Sequence, residues 1–334
     1  MKYSVLIKPS GKVFDVGTEQ SILSAAQSAG VSLRHGCMAG ACRLCRTKLL
    51  KGCVKYRDGM SVFLTQEELK RNYFLPCCSV ATSDIECQQD DWGGEASVDR
   101  EGVVLRSKTL TGEVFILRFQ LSKRSTLNPV PGQYIEVECG EGSTRAYSVA
   151  NVPQRDGVLE LHVKRRRGGY FSDNLCDAMQ PGDVWWIRGP RGKFSFQESE
   201  HRPLLFIATG TGFSPIKSIL ESNQLKEDRT IQVYWGGRTK QDWYFEDIVD
   251  QLSARYADLH FSPVLSRPSK EDNWTGRVGY VQDWIESDIE HLGDYDVYAC
   301  GSGAMVKHTF EVLTKQYDLP QSRFHSDAFF PSGT

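Results

Sequence analysis

Several features that would place this chain in a membrane, on a nucleic acid or outside the cell are missing from it. No apolar run approaches the roughly 18 residues that a membrane-spanning helix needs. The net charge of -2 gives no electrostatic reason to expect binding to nucleic acid or to an acidic membrane surface. The first residues, MKYSVLIKPSGKVF, indicate a strand and a turn, without the basic segment and apolar core of a signal peptide. We therefore expect a cytoplasmic protein.

The chain also lacks internal repeats, low-complexity tracts and the full G-x-G-x-x-G fingerprint of a dinucleotide-binding fold. Its 334 residues, 40% hydrophobic and 25% charged, have the composition of an ordinary globular protein with two or three domains. Ten cysteines are too few for a disulfide scaffold in a chain of this length.

Four of those cysteines form the most informative pattern in the sequence. Cys37, Cys42 and Cys45 have the spacing C-x4-C-x2-C, and Cys77 follows later in the chain. This is the ligand spacing of plant-type [2Fe-2S] clusters. A structural zinc site is the alternative, but a zinc ribbon usually offers two C-x2-C pairs, and only Cys42 and Cys45 form one here. The pattern predicts that all four cysteines hold an iron–sulfur cluster, which moves electrons singly.

Residues 1–90 carry a local excess of positive charge. They contain 12 Lys and Arg against 8 Asp and Glu, with Arg34, Arg43, Arg46 and Lys48 near the predicted ligands. A solvated basic face needs no partner, so that interpretation stays open. The functional interpretation is a docking surface for an acidic electron acceptor.

The spacing of apolar residues predicts a multidomain chain. Residues 1–90 indicate an α+β domain of the β-grasp type, and the polar, aperiodic residues 91–100 indicate a linker. Six short β runs separated by Gly and Pro predict an antiparallel β-barrel over 101–200. Strands and helices alternate over 201–334, which predicts an α/β domain with a parallel sheet.

The first of these domains has local signals of its own. KYSVLIK and VFDV predict an opening β-hairpin. The run SILSAAQSAG predicts a helix, for which we expect a cap at Gly17-Thr18 and an end at Gly30. A second, short helix is expected from Thr65.

Two motifs in the predicted barrel have the chemistry to hold a redox-active ring and a phosphate. RAYS (residues 145–148) places a cation, an aromatic ring and a hydroxyl on neighbouring strand positions. GGYFS (168–172) follows a basic stretch and precedes an expected helix N-terminus, which suits a pyrophosphate. Each run taken alone is also compatible with ordinary packing and a solvated turn.

Two glycine turns stand between strand and helix in the parallel-sheet domain. One is ATGTGFSP (208–215) and the other YACGSG (298–303). Such turns let the backbone approach a phosphate, and ligands of open α/β sheets gather at the carboxyl ends of strands. A tight turn that binds nothing remains the alternative for each.

Taken in order, these motifs resemble those of the ferredoxin–NADP reductase superfamily, specifically its members with an N-terminal plant-type ferredoxin domain. RAYS resembles the flavin motif R-x-Y-S, and GYFS the pyrophosphate motif G-x-x-S. GTGFSP resembles the nicotinamide motif G-T-G-x-x-P, and the pair Cys300-Gly301 the C-G motif near the nicotinamide. The ending DAFF resembles the C-terminal aromatic that covers the flavin. Two departures are Thr209, where a glycine is frequent, and Arg43-Leu44 between two of the cysteines.

The resemblance implies a [2Fe-2S] cluster, FAD and a nicotinamide nucleotide as cofactors, the domain order favouring FAD over FMN. It implies catalytic positions for Ser148 beside the flavin, Cys300 beside the nicotinamide, and Phe329 as the covering aromatic. The implied cofactor-binding residues are Arg145, Ala146, Tyr147, Ser148, His162, Lys164, Gly169, Tyr170, Phe171, Ser172, Gly210, Thr211, Gly212, Arg238, Cys300, Gly301, Phe329 and Phe330.

The choice between the two nicotinamide nucleotides is expected to be made after the second strand of the sheet, at Gly236-Gly237-Arg238. Arg238 could meet the 2′-phosphate of NADPH. Similar NADH-using members also carry G-x-R at this place, so NADH is expected.

The activity that the resemblance implies is electron transfer from NADH through FAD and the cluster to a partner protein. The expected partner is the terminal component of a multicomponent oxygenase, most simply one that hydroxylates aromatic rings. A deoxysugar dehydrase and a di-iron monooxygenase are the alternative partners, and a redox sensor without turnover is an alternative of another class. Members of this type can act as monomers.

Overall fold

A computed structural model of the chain describes residues 2–31, 33, 40, 45–57, 64, 66–89, 98–140, 144–153, 156–197, 202–244 and 247–329. The chain divides into two compact units, one of residues 1–95 with 327–334 and one of residues 96–326. Within the described ranges, no helix is long and apolar enough to span a membrane.

The first unit is an α+β domain built on a five-stranded sheet with the order β2-β1-β7-β3-β5, beside a two-stranded ribbon of β4 and β6. Its strands are β1 (Lys2–Lys8), β2 (Lys12–Gly17), β3 (Thr47–Lys51), β4 (Val54–Tyr56), β5 (Tyr73–Phe74), β6 (Ser79–Ala81) and β7 (Ile85–Gln88). Its helices are α1 (Ile22–Ser28) and α2 (Gln66–Lys70).

The predicted hairpin is confirmed, since β1 pairs with β2 antiparallel and Val5 lies opposite Phe14. Alternate residues of these strands are buried, and the apolar side of α1 joins the same core through Ile22 and Ala26. Burial on one face of each strand fixes the register, because a shift by one residue would turn the apolar set outward.

Helix α1 ends as predicted, with Gly30 at a φ of +69°, but the predicted cap is wrong. Ser21 is the N-cap, and its hydroxyl accepts a hydrogen bond from the backbone N–H of Ser24 at 3.1 Å. The backbone N–H of Gln20 donates to the carbonyl of Gly17, so Gly17-Thr18 belongs to a turn that precedes the helix. Serine at the N-cap satisfies one of the unpaired N–H groups of the first helical turn.

The second unit begins with the predicted antiparallel barrel, whose strand order is β11-β10-β13-β8-β9-β12. The strands are β8 (Val98–Thr111), β9 (Val114–Gln120), β10 (Tyr134–Glu138), β11 (Thr144–Ser148), β12 (Val158–Lys164) and β13 (Val184–Arg191). An antiparallel bridge between Val149 and Leu161 joins the two ends of the sheet. Closure removes the unpaired edges that an open sheet would expose.

The rest of the second unit is the predicted α/β part, a six-stranded sheet with the order β17-β16-β15-β14-β18-β19. Its strands are β14 (Leu204–Thr209), β15 (Ile231–Gly237), β16 (Leu259–Leu265), β17 (Arg277–Val278), β18 (Asp296–Ser302) and β19 (Phe324–Phe329), the last three residues of β19 falling in the range assigned to the first unit. Its helices are α4 (Phe213–Glu221), α5 (Ile248–Arg255), α6 (Val281–Asp288) and α7 (Gly303–Gln316).

Strands β14 and β18 are adjacent and parallel, and both are buried along almost their whole length. A parallel strand covered on both faces is expected to be continuously apolar, as LLFIA is. Because the two strands run in the same direction, their carboxyl ends place two glycine turns side by side.

Candidate functional site

Two of the four predicted metal ligands lie together in the first unit. Cys45 and Cys77 are buried, and their sulfur atoms are 3.3 Å apart. Two sulfurs bound to one tetrahedral metal at about 2.3 Å would lie about 3.8 Å apart, so the pair suits a shared cluster. Cys37 and Cys42 lie outside the described residues.

The backbone at Cys45 is held by buried polar side chains. The Thr47 hydroxyl donates to the Cys45 carbonyl at 2.8 Å, and the Gln89 amide donates to Thr47 Oγ1 at 2.9 Å. Thr47 and Gln89 are both buried. Since a buried hydrogen-bonded network fixes the groups that it joins, it holds the strand end that presents this sulfur.

The predicted basic surface is partly described. Arg46 forms an ion pair with Glu68 and stacks 5.1 Å from the ring of Tyr73, while Lys48 is exposed. The pairing neutralises part of the charge at this point. Arg34 and Arg43 fall in segments that the structure leaves undescribed.

The motif RAYS forms strand β11 of the barrel. The Tyr147 ring packs against Phe171 with a centroid separation of 5.2 Å, and burial raises the pKa of its phenol well above the usual value. Arg145 donates to the carbonyl of Thr144. Ser148 is buried, and its hydroxyl has no hydrogen-bond partner among the described residues.

An unpaired buried hydroxyl has a free-energy cost of about 1–3 kcal/mol, and a ligand that bonds it offsets that cost. The order cation, ring, hydroxyl along β11 therefore fits a flavin, with the Ser148 hydroxyl as the group left for the ligand to satisfy.

The motif GGYFS begins a helical segment that is not a regular α-helix. Residues Tyr170–Leu175 form a π-helical turn that continues into α3 (Cys176–Ala178). A Cβ at Gly169 would lie 2.8 Å from the backbone carbonyl oxygen of Arg166, so glycine is required for this close approach. Tyr170 is exposed.

One residue of the basic run before this turn, Arg165, is held by an ion pair. Arg165 pairs with Asp173 at 2.7 Å, and Asp173 also accepts from the N–H of Gly168 at 2.8 Å. The hydrogen bond from Arg165 holds the pKa of this carboxyl below its usual range. Arg165 therefore stabilises the turn through its ion pair with Asp173.

The two predicted nicotinamide turns touch each other at the carboxyl edge of the parallel sheet. A Cβ at Gly212 would lie 2.2 Å from the Cys300 carbonyl oxygen, and one at Gly301 would lie 2.2 Å from Thr209 Oγ1. Gly210 and Gly301 have φ angles of +52° and +138°, which L side chains rarely adopt. Glycine at these positions thus allows the two backbones to meet.

Thr209, one of the departures from the family motif, has a local function here. Its hydroxyl accepts a hydrogen bond from the backbone N–H of Ser302 at 2.8 Å and so joins the two turns. The indole N–H of Trp235 donates to the Gly210 carbonyl at 2.9 Å, and the Trp235 ring stacks on Phe213. These contacts fix the position of the turn and of the helix that follows it.

Arg238 and Lys164 meet at one carboxylate. Asp242 accepts from the backbone N–H of Arg238 at 2.8 Å and forms an ion pair with Lys164. Burial alone would raise the pKa of Asp242, but the contacts with Lys164 and with this N–H lower it. A cavity of about 420 Å³ lies beside this point, and Trp243, whose buried indole N–H has no partner among the described residues, lines it.

The His162 side chain is fully enclosed between the barrel and the parallel sheet. Its Nε2 lies 3.0 Å from Glu160, and its Nδ1 lies 2.9 Å from Ser214 Oγ and 3.0 Å from the Tyr244 hydroxyl. A carboxylate only accepts, so Nε2 carries the proton and Nδ1 accepts from a hydroxyl. Burial lowers the pKa of His162, and the ring stays neutral near pH 7.

The aromatic ending is described in part. Phe329 is half-buried at the end of β19, and Phe330 lies outside the described residues.

Sequence patterns missed four residues that form hydrogen bonds across the boundary between the barrel and the parallel sheet: Ser214, Lys217, Ser218 and Tyr244. The spacing of Ser214, Lys217 and Ser218, i, i+3 and i+4 on an otherwise apolar helix, was the available signal.

Family models match three successive parts of the chain. A 2Fe-2S iron-sulfur cluster binding domain matches residues 5–82, an oxidoreductase FAD-binding domain residues 101–196, and an oxidoreductase NAD-binding domain residues 206–311. Their order is that of the cysteine pattern, the barrel and the parallel sheet.

Curated proteins match almost the full length of the chain, and two of them come from different kinds of enzyme system. A CDP-6-deoxy-L-threo-D-glycero-4-hexulose-3-dehydrase reductase of Yersinia pseudotuberculosis is 33% identical over 99% of this chain and 100% of its own. The phenol hydroxylase P5 protein of Acinetobacter pittii is 31% identical over 98% of this chain and 96% of its own. Among solved structures, a cytochrome P450 reductase from Amycolatopsis superposes with a TM-score of 0.72 and 26% identity over 99% of this chain and 100% of that one.

Proposed function

Because the chain belongs to the ferredoxin–NADP reductase superfamily, in the group with an N-terminal [2Fe-2S] domain, we propose that it passes electrons from NADH to the terminal component of an aromatic-compound oxygenase. It is an NAD(P)H-dependent flavin and iron–sulfur oxidoreductase, with FAD and a [2Fe-2S] cluster as its cofactors. The observation that carries the proposal is the buried Cys45–Cys77 pair, which provides a one-electron outlet in the same chain as the flavin and nicotinamide turns.

When bound, FAD would supply the conversion between two-electron transfer with the nicotinamide and one-electron transfer with the cluster. In the proposal, the Tyr147 ring lies against the flavin and the Ser148 hydroxyl bonds it. Arg145 and Ser172 hold its pyrophosphate. The turns at Gly210–Gly212 and Cys300-Gly301 receive the nicotinamide, and their close mutual contact holds the two backbones in place.

The remaining assignments follow the resemblance to the family motifs. Ala146, Gly169, Tyr170 and Phe171 form the wall around the flavin and its pyrophosphate. Both ring nitrogens of His162 are engaged, so its contact with a cofactor would come from the main chain. Lys164, Thr211 and Arg238 are assigned to the nucleotide, and Phe329 or Phe330 to the cover of the flavin.

The proposal includes cytoplasmic location, action as a monomer, and NADH as the preferred nucleotide. Steady-state kcat/KM measured with NADH and with NADPH tests the last point. A higher kcat/KM with NADPH would assign Arg238 to the 2′-phosphate instead.

Ser148→Ala is expected to separate stability from turnover. In the flavin-free protein, removing a buried hydroxyl that has no partner there should leave the thermal unfolding midpoint unchanged or raise it slightly. Flavin reduction by NADH, followed by stopped-flow absorbance, should slow about 10- to 100-fold if the hydroxyl bonds the flavin where charge changes. A lower midpoint with an unchanged rate would contradict the assignment.

The acceptor is tested by reconstitution. The purified protein is combined with NADH and either a phenol-type oxygenase component and its aromatic substrate or a deoxysugar dehydrase and its sugar nucleotide. Substrate hydroxylation without dehydrase turnover is the expected result. The dehydrase is the second candidate, because the Yersinia dehydrase reductase matches at 33% identity over nearly the whole chain.

A further inference from the structure

Helix α4 has a buried polar face directed at the barrel. It begins at Phe213, directly after the glycine turn 210–212. Ser214, Lys217 and Ser218 are at most 6% exposed. Positions i, i+3 and i+4 share one side of a helix, so the three residues form a single surface.

That surface bonds the segment directly after Ser148. Lys217 Nζ donates to the Ala150 carbonyl at 3.0 Å, and Ser218 Oγ donates to the Asn151 carbonyl at 2.8 Å. Asn151 in turn bonds the backbone of β12, donating to the Val158 carbonyl at 2.7 Å. The contacted segment is therefore fixed to the barrel on its other side.

Lys217 is also surrounded by charge. Its Nζ lies 3.2 Å from Glu160 Oε1 and 2.8 Å from Glu221, and Arg118 binds the other oxygen of Glu160 at 2.7 Å. Burial alone would raise the pKa of Glu160. The hydrogen bond from His162 and the charges of Lys217 and Arg118 instead hold this pKa far below its usual range. The cluster is thus ionised and fully paired.

A buried ion pair of this kind often stabilises the folded protein no more than well-packed apolar residues of similar volume would. What it provides is a defined geometry. Ala150 is two residues from Ser148, and Lys217 is one helical turn, about 6 Å of rise, from the start of α4. The contact therefore joins the segment that follows Ser148 directly to the helix that follows the glycine turn.

We propose that Lys217, with Ser218, is a positioning residue that sets the distance between the flavin strand and the nicotinamide turn. This inference rests on the proposed function, because it uses the assignment of Ser148 and Gly210–Gly212. It assigns no chemical step to Lys217. A displacement of about 1 Å at such a contact can slow a reaction about 10²-fold without loss of binding.

The test compares Lys217→Met and Ser218→Ala with wild type, all loaded with FAD and cluster. Lys226→Met is the matched control, since Lys226 is exposed, five residues beyond the end of the same helix. Stopped-flow flavin reduction over a range of NADH concentrations separates the limiting rate from the NADH dissociation constant. Hydrogen–deuterium exchange of residues 148–151 provides a readout that does not depend on turnover.

We expect the limiting rate of Lys217→Met to fall about 10- to 100-fold, with a much smaller change in the dissociation constant. Ser218→Ala should show a smaller fall, both variants should exchange faster at 148–151, and Lys226→Met should match wild type. Wild-type rates in both fully loaded variants would overturn the proposal. If Lys217→Met does not retain FAD, Ser218→Ala alone tests the proposal. An unchanged limiting rate together with unchanged hydrogen exchange at 148–151 in Ser218→Ala would then overturn the proposal.

Different results would contradict the proposed function and the positioning role of Lys217. If NADH does not reduce the flavin of the wild-type protein, the proposed function is wrong. If wild type is reduced normally and the α4 variants are as well, only the positioning role is wrong.

Discussion

Replacement of Cys45 by Ser is expected to abolish electron delivery to a one-electron protein acceptor while leaving reduction of a two-electron dye intact. Cys45 is buried, and its sulfur is 3.3 Å from that of Cys77. Removing one of four thiolates deprives the cluster of a ligand, whereas the flavin and nicotinamide motifs belong to the other compact unit.

The measurement is NADH-dependent reduction of cytochrome c and of a two-electron dye by the same preparation. Cytochrome c reduction should fall at least 100-fold, beyond the roughly 10- to 100-fold that loss of an outer-sphere partner costs. Cys53→Ser is the control, because Cys53 is an exposed cysteine outside the ligand pattern. Equal loss of both activities would mean that the cluster is needed for flavin chemistry as well.

Gly212→Ala is expected to give the largest effect on the nicotinamide side. The added Cβ would lie 2.2 Å from the carbonyl oxygen of Cys300, so one of the two turns must move. Overpacking of this kind costs about 1–3 kcal/mol of stability, and the displaced turn should slow flavin reduction about 100-fold. Stopped-flow reduction and thermal unfolding measure the two effects.

Gly17→Ala is the matched control for this substitution. Its Cβ would meet nothing closer than 3.8 Å, and Gly17 belongs to the first unit, whereas both turns belong to the second. We expect wild-type flavin reduction from it. If Gly212→Ala is also reduced at the wild-type rate, the close contact between the turns does not contribute to nicotinamide placement.

The elements that short-range patterns determine were predicted well. The β-hairpin, the six barrel strands and the alternation of β14 to β18 with helices are each confirmed, because period and punctuation are local signals. The predicted cap at Thr18 was wrong because Thr18 and Ser21 can both serve as an N-cap. The hydrogen bond from Gln20 to the Gly17 carbonyl places Thr18 in a turn, so the helix begins after Ser21. Such competition is settled by backbone geometry that a sequence pattern does not carry.

Contacts between distant parts of the chain were not predicted. Thr209 stood out only as a departure from a motif, yet its hydroxyl joins two turns that are 93 positions apart. Lys217 and Ala150 are 67 positions apart and belong to different architectures. A pairing of this kind depends on how the barrel packs on the parallel sheet, so the residues can be recognised only as polar groups on an apolar helix.

The proposed function requires that one chain conducts electrons from NADH through FAD to a [2Fe-2S] cluster. The direct measurement is an anaerobic titration of the purified protein with NADH, followed by visible absorbance and by electron paramagnetic resonance at low temperature. We expect bleaching of the flavin bands together with the signal of a reduced [2Fe-2S] cluster. Flavin bleaching with a cluster that stays oxidised, or no bleaching at all, would contradict it.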